Sequence, residues 1–190
     1  MRVIAGSHRG RRLCGPQGTT LRPTSDKVRE ALFSILGSRV PGCRFLDLYA
    51  GTGAVGIEAM SRGAATVTFV ESSPEAARLL RKNLTVCRLM EQADVRIGPT
   101  QEFLARRDWW NGPYDVVFAD PPYAEIREVD QLRSVWTTEL LAADGVMVIE
   151  QNAKAELPAS LDRAVLVRRY VYGDTALLLY GPVKGETGSA

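Results

Sequence analysis

Residues 44–71 read R-F-L-D-L-Y-A-G-T-G-A-V-G-I-E-A-M-S-R-G-A-A-T-V-T-F-V-E. Residues 44–49 form a strand candidate, residues 53–62 a helix closed by Gly63, and residues 65–70 a second strand rich in β-branched side chains. Two strands joined by a helix imply a parallel pair, because a parallel connection needs a crossover. Gly51, Gly53 and Gly56 spell GxGxxG between the first strand and its helix, the context that this fingerprint requires. Glycine there lets the backbone turn tightly and approach a ligand with no Cβ in the way.

The same alternation continues outward. Pro74 opens a helix predicted to run to about Met90; residues 94–97 are a short strand and 100–107 a short helix. The run 114–119 is a buried strand stopped by prolines, followed by a helix near 127–141 and a strand over Gly145–Glu150. Residues 164–172 and 175–181, around Gly173-Asp174, are too close for a crossover helix and predict an antiparallel hairpin. Upstream, Val28, Ala31, Leu32, Ile35 and Leu36 recur at helical spacing, with Thr24 or Ser25 as N-cap and Gly37 as the stop. The expected architecture is α/β: a Rossmann-like, seven-stranded sheet with helices on both faces and a C-terminal hairpin. Residues 1–22 read as a basic β-hairpin arm poor in core residues, 23–181 as the body and 182–190 as a flexible tail.

Composition narrows the classes. A chain of 190 residues that is 45% hydrophobic can bury a real core. Neither a membrane-length apolar run nor a signal-peptide core is present, so a cytoplasmic protein is expected. Cys14, Cys43 and Cys87 lie far apart, which supports neither a disulfide framework nor a zinc site. The single His8 cannot build a triad or a metal site alone, and no metal is expected. Net charge is +2, but residues 1–40 hold eight Lys/Arg against two acids. That asymmetry suggests a nucleic-acid-facing arm on a near-neutral body; a solvated basic surface is the plain alternative.

Three acids stand at predicted strand ends: Asp47, Glu71 and Asp120. Glu71 is placed to take both hydroxyls of a ribose. Asp47 would repel a dinucleotide pyrophosphate but suits the cationic end of S-adenosylmethionine (SAM), which favours SAM over a nicotinamide cofactor. Asp120-Pro121-Pro122-Tyr123 can grip a planar amine. The Asp120 carboxylate and the Pro121 carbonyl accept its two hydrogens and leave the lone pair aimed at an electrophile. Prolines pre-set that geometry, and Tyr123 offers a stacking face. The plain reading of each feature, a tight glycine turn or a proline turn, weakens when they occur together.

D-L-Y-A-G-T-G with D-P-P-Y resembles the class I SAM-dependent methyltransferases that act on exocyclic amines. Arg9-Gly10-Arg11-Arg12-Leu13, the stretch Arg22–Phe33 and Gly56–Ala64 narrow the resemblance to the bacterial 16S rRNA guanine-N2 methyltransferase family. The resemblance spans residues 2 to about 180. It implies methylation of guanine 966 of 16S rRNA, on the small ribosomal subunit or its assembly intermediate, by a protein expected to be monomeric. The implied SAM site comprises Asp47, Tyr49, Ala50, Gly51, Thr52, Gly53, Glu71 and Ser72. Where the family often has Gly-Asp after its third strand, this chain has Gly98-Pro99, so Thr100, Gln101 or a backbone carbonyl would meet the adenine. Asp120, Pro121, Pro122 and Tyr123 would be catalytic; Arg9, Arg11, Arg12, Arg22 and Arg29 would face RNA, mostly through phosphates. Rival readings are an amine methyltransferase for adenine N6 or a glutamine side chain, and a non-catalytic RNA-binding assembly factor.

Overall fold

The computed structural model describes residues 1–15, 25–121 and 132–183. Among the described residues eight strands form one sheet: β1 (Arg44–Leu48), β2 (Thr66–Glu71), β3 (Ala93–Ile97), β4 (Tyr114–Ala119), β5 (Leu141–Asn152), β6 (Ser160–Leu161), β7 (Ala164–Tyr172) and β8 (Thr175–Pro182). Their order is β3-β2-β1-β4-β5-β8-β7-β6. β1 to β5 run parallel, and β8 lies antiparallel between β5 and β7. The order reverses between β1 and β4, and a reversal of this kind opens a crevice beyond the strands' carboxyl ends.

The described helices are α1 (Asp26–Leu36), α2 (Ala54–Ser61), α3 (Pro74–Cys87), α4 (Thr100–Ala105) and α5 (Ser134–Thr137). Period-2 alternation sorts the sheet residues into two cores. Phe45, Phe69, Val116, Phe118 and Val148 pack with residues of α1, α2 and α3; Leu46, Val70, Val117, Met147 and Ile149 pack with Phe103, Val135 and Trp136. Burial on both faces explains why the central strands are almost continuously apolar.

Several expectations shift. The sheet gains the two-residue β6, too short to carry an alternation signal. β5 begins at Leu141 rather than Gly145. Of the helix expected near 127–141, Leu132 and Ser134–Thr137 are helical among the described residues, broken by a turn at Arg133. α3 stops at Cys87, before Met90, because Arg88 turns left-handed (φ 59°) and its N–H returns to the Leu84 and Thr85 carbonyls. No glycine marks that stop in the sequence. Ser25, not Thr24, caps α1, accepting from the Val28 N–H at 3.2 Å.

The N-terminal segment is a hairpin, with Val3 N–H donating to the Arg11 carbonyl and Gly10 N–H to the Val3 carbonyl, each at 2.9 Å. It is not poor in core residues: Val3 and Leu13 are buried in the same core as α1, α2 and α3. Gly6, at φ +82°, lies so near α2 that a Cβ would fall 1.8 Å from the Ser61 carbonyl oxygen.

Gly56 has a comparable role at the sheet. A Cβ there would stand 2.2 Å from Phe69 Cε1 and 2.8 Å from Val67 Cγ1. Alanine favours helix by about 1 kcal/mol, yet overpacking a rigid core costs about 1–3 kcal/mol. Phe69 is fully buried and cannot swing away, so Gly56→Ala is expected to lower the melting temperature by several degrees. A thermal melt checks this; an unchanged or higher midpoint contradicts the close approach.

Candidate active site

Strand parity puts Asp47, Glu71 and Asp120 on one face of the sheet. Asp47 is level with Phe69 of β2 and Phe118 of β4. Glu71 and Asp120 follow those two phenylalanines by two positions each, so all three acids project to the side where α2 packs. Asp47 and Asp120 flank the point where strand order reverses. The site thus forms because three adjacent parallel strands each end in an acid of the same parity.

Each acid is held differently. Asp47 is buried, and its Oδ2 accepts the Gly56 N–H at 2.9 Å. Burial pushes its pKa up to about 8; the Gly56 hydrogen bond opposes this, and the charges of Asp120 and Glu71 add to it. Burial raises Asp120 to about 6. Glu71 accepts the Gly51 N–H on Oε2 at 2.6 Å and the Ser73 N–H on Oε1 at 2.7 Å. These bonds tie the glycine loop to the end of β2. Each oxygen keeps a second lone pair that can take a ligand hydroxyl. The charges acting on Asp47 are both negative, so the cluster suits a cationic ligand.

The expected loop residues gather around these acids. Ala50 donates its N–H to the Val70 carbonyl at 2.9 Å, and Gly53 donates to the Ala50 carbonyl at 2.8 Å. Tyr49 adopts a left-handed backbone (φ 62°) and packs against the core on the far side of the sheet. Gly98 N–H donates to the Glu71 carbonyl at 3.0 Å, so the segments carrying Ser72 and Thr100 leave the sheet side by side. Ser72 and Gln101 are exposed and Thr100 is buried. Asp120 and the buried Pro121 are described; Pro122 and Tyr123 lie outside the described residues.

Among the arginines, Arg9 and Arg12 are exposed on the hairpin. Arg11 is half-buried and donates from Nη1 to the Val86 carbonyl at 2.9 Å. Arg22 lies outside the described residues. Arg29 does not face RNA: it is fully buried beneath the hairpin. Its Nη2 donates to the Arg2 carbonyl at 2.6 Å and to Asp26 Oδ1 at 3.0 Å, while Nε lies 3.9 Å from Glu58. Glu58 in turn accepts the Ile4 and Ala5 N–H groups at 2.7 and 2.9 Å and pairs with Arg62 at 2.8 Å. Burial lowers the pKa of Arg29, and Glu58 and Asp26 raise it again. Arg29, expected from the sequence to face RNA, anchors the hairpin together with Asp26 instead.

Asn83 was not singled out by sequence reasoning. It is fully buried on α3, where it accepts the Cys14 N–H at 2.7 Å and donates to the carbonyls of Cys14 (3.0 Å) and Thr52 (2.9 Å). It joins the hairpin to the glycine loop. The one signal for it was an amide on the apolar face of an amphipathic helix, between Leu80 and Cys87. Trp109 and Trp110 pack partly buried against the second core, with Trp110 Nε1 donating to the Phe103 carbonyl at 2.8 Å. A cavity of about 760 Å³ lined by Arg107, Trp136, Leu141 and Arg163 touches none of the three acids.

Residues 1–181 match the family described as Conserved hypothetical protein 95. The ribosomal RNA small subunit methyltransferase D of Escherichia coli K12 is 34% identical over 180 residues, spanning 95% of this chain and 89% of its own length. The protein of the same name from Haemophilus influenzae is 42% identical over 125 residues, 65% of this chain and 64% of its own. Among solved structures, a hypothetical protein of Thermus thermophilus superimposes with a TM-score of 0.79 at 35% identity, covering 94% of this chain and 98% of that one.

Proposed function

The chain belongs to the Conserved hypothetical protein 95 family of class I SAM-dependent rRNA methyltransferases, and from that premise we propose that it methylates N2 of guanine 966 in 16S rRNA within the small ribosomal subunit. The observation that carries the site reading is the clustering of Asp47, Glu71 and Asp120 on one face, around the glycine loop, where strand order reverses.

In this reading Asp47 and the loop Tyr49–Gly53 hold the amino-acid end of SAM, and Glu71 with Ser72 holds the ribose. Thr100 and Gln101 border the adenine, in place of the acid that Pro99 replaces. Bound SAM supplies a methyl group on a sulfonium, an electrophile that needs no metal. Asp120 and the Pro121 carbonyl accept the hydrogens of the guanine amine and fix its lone pair toward the electrophile. The amine proton becomes acidic only as the new bond forms, so Asp120 acts first as an acceptor and not as a strong base. Orientation and electrostatic preorganisation carry the rate.

The test is nucleoside analysis of small-subunit RNA lacking the modification, incubated with this protein and SAM. N2-methylguanosine at position 966 is expected. Methylation at adenine N6, or no methylated nucleoside, overturns the assignment.

The acid cluster also sets a pH dependence. An unfolded Asp titrates near 3.8, whereas folded Asp47 titrates at about 8. The folded form therefore holds the extra proton between those values. The stability tied to that proton is complete below about pH 4 and is lost as pH rises through about 8, by up to about 1.4 kcal/mol per pH unit. A bound cation favours the ionised carboxylates, so SAM affinity is expected to rise between pH 6 and pH 8 with release of protons. Calorimetry in buffers of different ionisation enthalpy measures that release. Asp47→Asn keeps an acceptor for Gly56, and it should raise the melting temperature of the ligand-free protein at pH 8 while weakening SAM about 10- to 100-fold. A pH-independent affinity in the unsubstituted protein contradicts the assignment.

A further inference from the structure

The tip of the hairpin sits far from the acid cluster. Arg11 bonds the Val86 carbonyl, at the C-terminal end of α3. The N-terminal end of α3 follows Glu71 and Ser73, at the site. A helix of 14 residues separates the two ends by about 20 Å. An RNA that touches Arg9 and Arg12 and also reaches Asp120 must cross that distance.

The outward face of α3 carries three exposed cations, Arg78, Arg81 and Lys82, and a fourth, the exposed Arg88, caps its C-terminal end. At about 100° per residue, Arg78, Arg81 and Lys82 fall within one exposed sector, while Ala76, Leu80, Leu84 and Cys87 fill the buried side. None of the four has an ion-pair partner among the described residues, and neither do Arg9, Arg11 and Arg12. Arg2, Arg29, Arg62, Arg96, Arg106, Arg107 and Arg133 each sit within 4 Å of a carboxylate. Lys27, Arg39, Arg44, Lys154, Arg163, Arg168 and Arg169 also lack an ion-pair partner among the described residues, but they are scattered over α1, β1, β7 and the connecting segments rather than gathered along one helix. Glu75, in the first turn of α3, pairs with none of the four among the described residues. Cations left unpaired in a continuous strip keep their full charge for a polyanion, and arginine and lysine are the residues that bind phosphate.

We propose that the exposed face of α3, with the Arg88 that caps it, is a phosphate track, on which Arg78, Arg81, Lys82 and Arg88 carry the rRNA backbone between the mouth of the site and the hairpin. This rests on the rRNA reading above. Such contacts supply affinity and register, not base identity.

The experiment compares three full-length proteins binding 16S rRNA fragments over a series of KCl concentrations: the unsubstituted chain, Arg78→Gln/Arg81→Gln/Lys82→Gln/Arg88→Gln, and Arg9→Gln/Arg11→Gln/Arg12→Gln. The α3 variant should bind at least about 10-fold more weakly, with a plot of log affinity against log salt shallower by about 0.7–0.9 for each phosphate it no longer neutralises. Its KM for RNA should rise while kcat at saturating RNA changes little, and its calorimetric affinity for S-adenosylhomocysteine should stay within about twofold, which reports an intact fold. If the hairpin variant loses affinity and salt slope while the α3 variant matches the unsubstituted chain, the track is refuted and the rRNA reading stands. If the unsubstituted chain itself shows no salt-dependent rRNA binding, both fall.

Discussion

Asp120→Ala is expected to lower methyl transfer by about two to four orders of magnitude while leaving the affinity for S-adenosylhomocysteine within a few-fold. Asp120 follows β4 directly, and Pro121 after it is buried, so the carboxylate is set by the strand and not by a free loop. Removing it takes away an acceptor for the target amine. It also relieves Asp47 of a neighbouring negative charge, which should lower the pKa of Asp47 rather than disturb its place. The predicted loss is therefore in kcat, not in cofactor binding. Since burial raises Asp120 to about 6, the unsubstituted enzyme should lose activity as pH falls through about 6. Single-turnover transfer at saturating SAM and RNA measures the effect; turnover by Asp120→Ala near the unsubstituted rate would exclude the residue from the chemistry.

Glu58→Ala is expected to be the most destabilising single change in the molecule, at about 3–5 kcal/mol. It strands a fully buried Arg29 guanidinium whose Nε and Nη1 already have no hydrogen-bond partner, and whose other anionic neighbour, Asp26, is half exposed. It also releases the Ile4 and Ala5 N–H groups that hold the hairpin. For a domain of this size the melting temperature should drop by roughly 10 °C. Adding Arg29→Met removes the orphaned charge, so the double variant should be more stable than Glu58→Ala alone. Additive destabilisation would mean that the pair does not act as a unit.

Much of the scaffold was legible in the chain. The strand, glycine loop, helix and strand of residues 44–71 appear with shifts of a residue or two, because apolar periodicity and glycine placement act over short distances. The acids were legible too, since each directly follows or ends a strong apolar run. Arg29 was misread for the opposite reason. In sequence it is one more cation in a basic stretch, and only the fold brings Glu58, 29 positions away, under it. Asn83 was invisible for a similar cause: its partners, Cys14 and Thr52, are 69 and 31 positions distant.

The sequence by itself determined the alternation of strands and helices, the glycine loop and the acid at each strand end, because those depend on local periodicity and on what each residue does to its own backbone. Only the tertiary structure decided that Asp47, Glu71 and Asp120 share one face, that Asp120 and Glu71 raise the cost of charging Asp47, and that the hairpin is bolted to α2. It also decided which arginines stay free of carboxylates. Burial and pairing depend on distances across the fold, and no residue's own neighbours in the chain encode them.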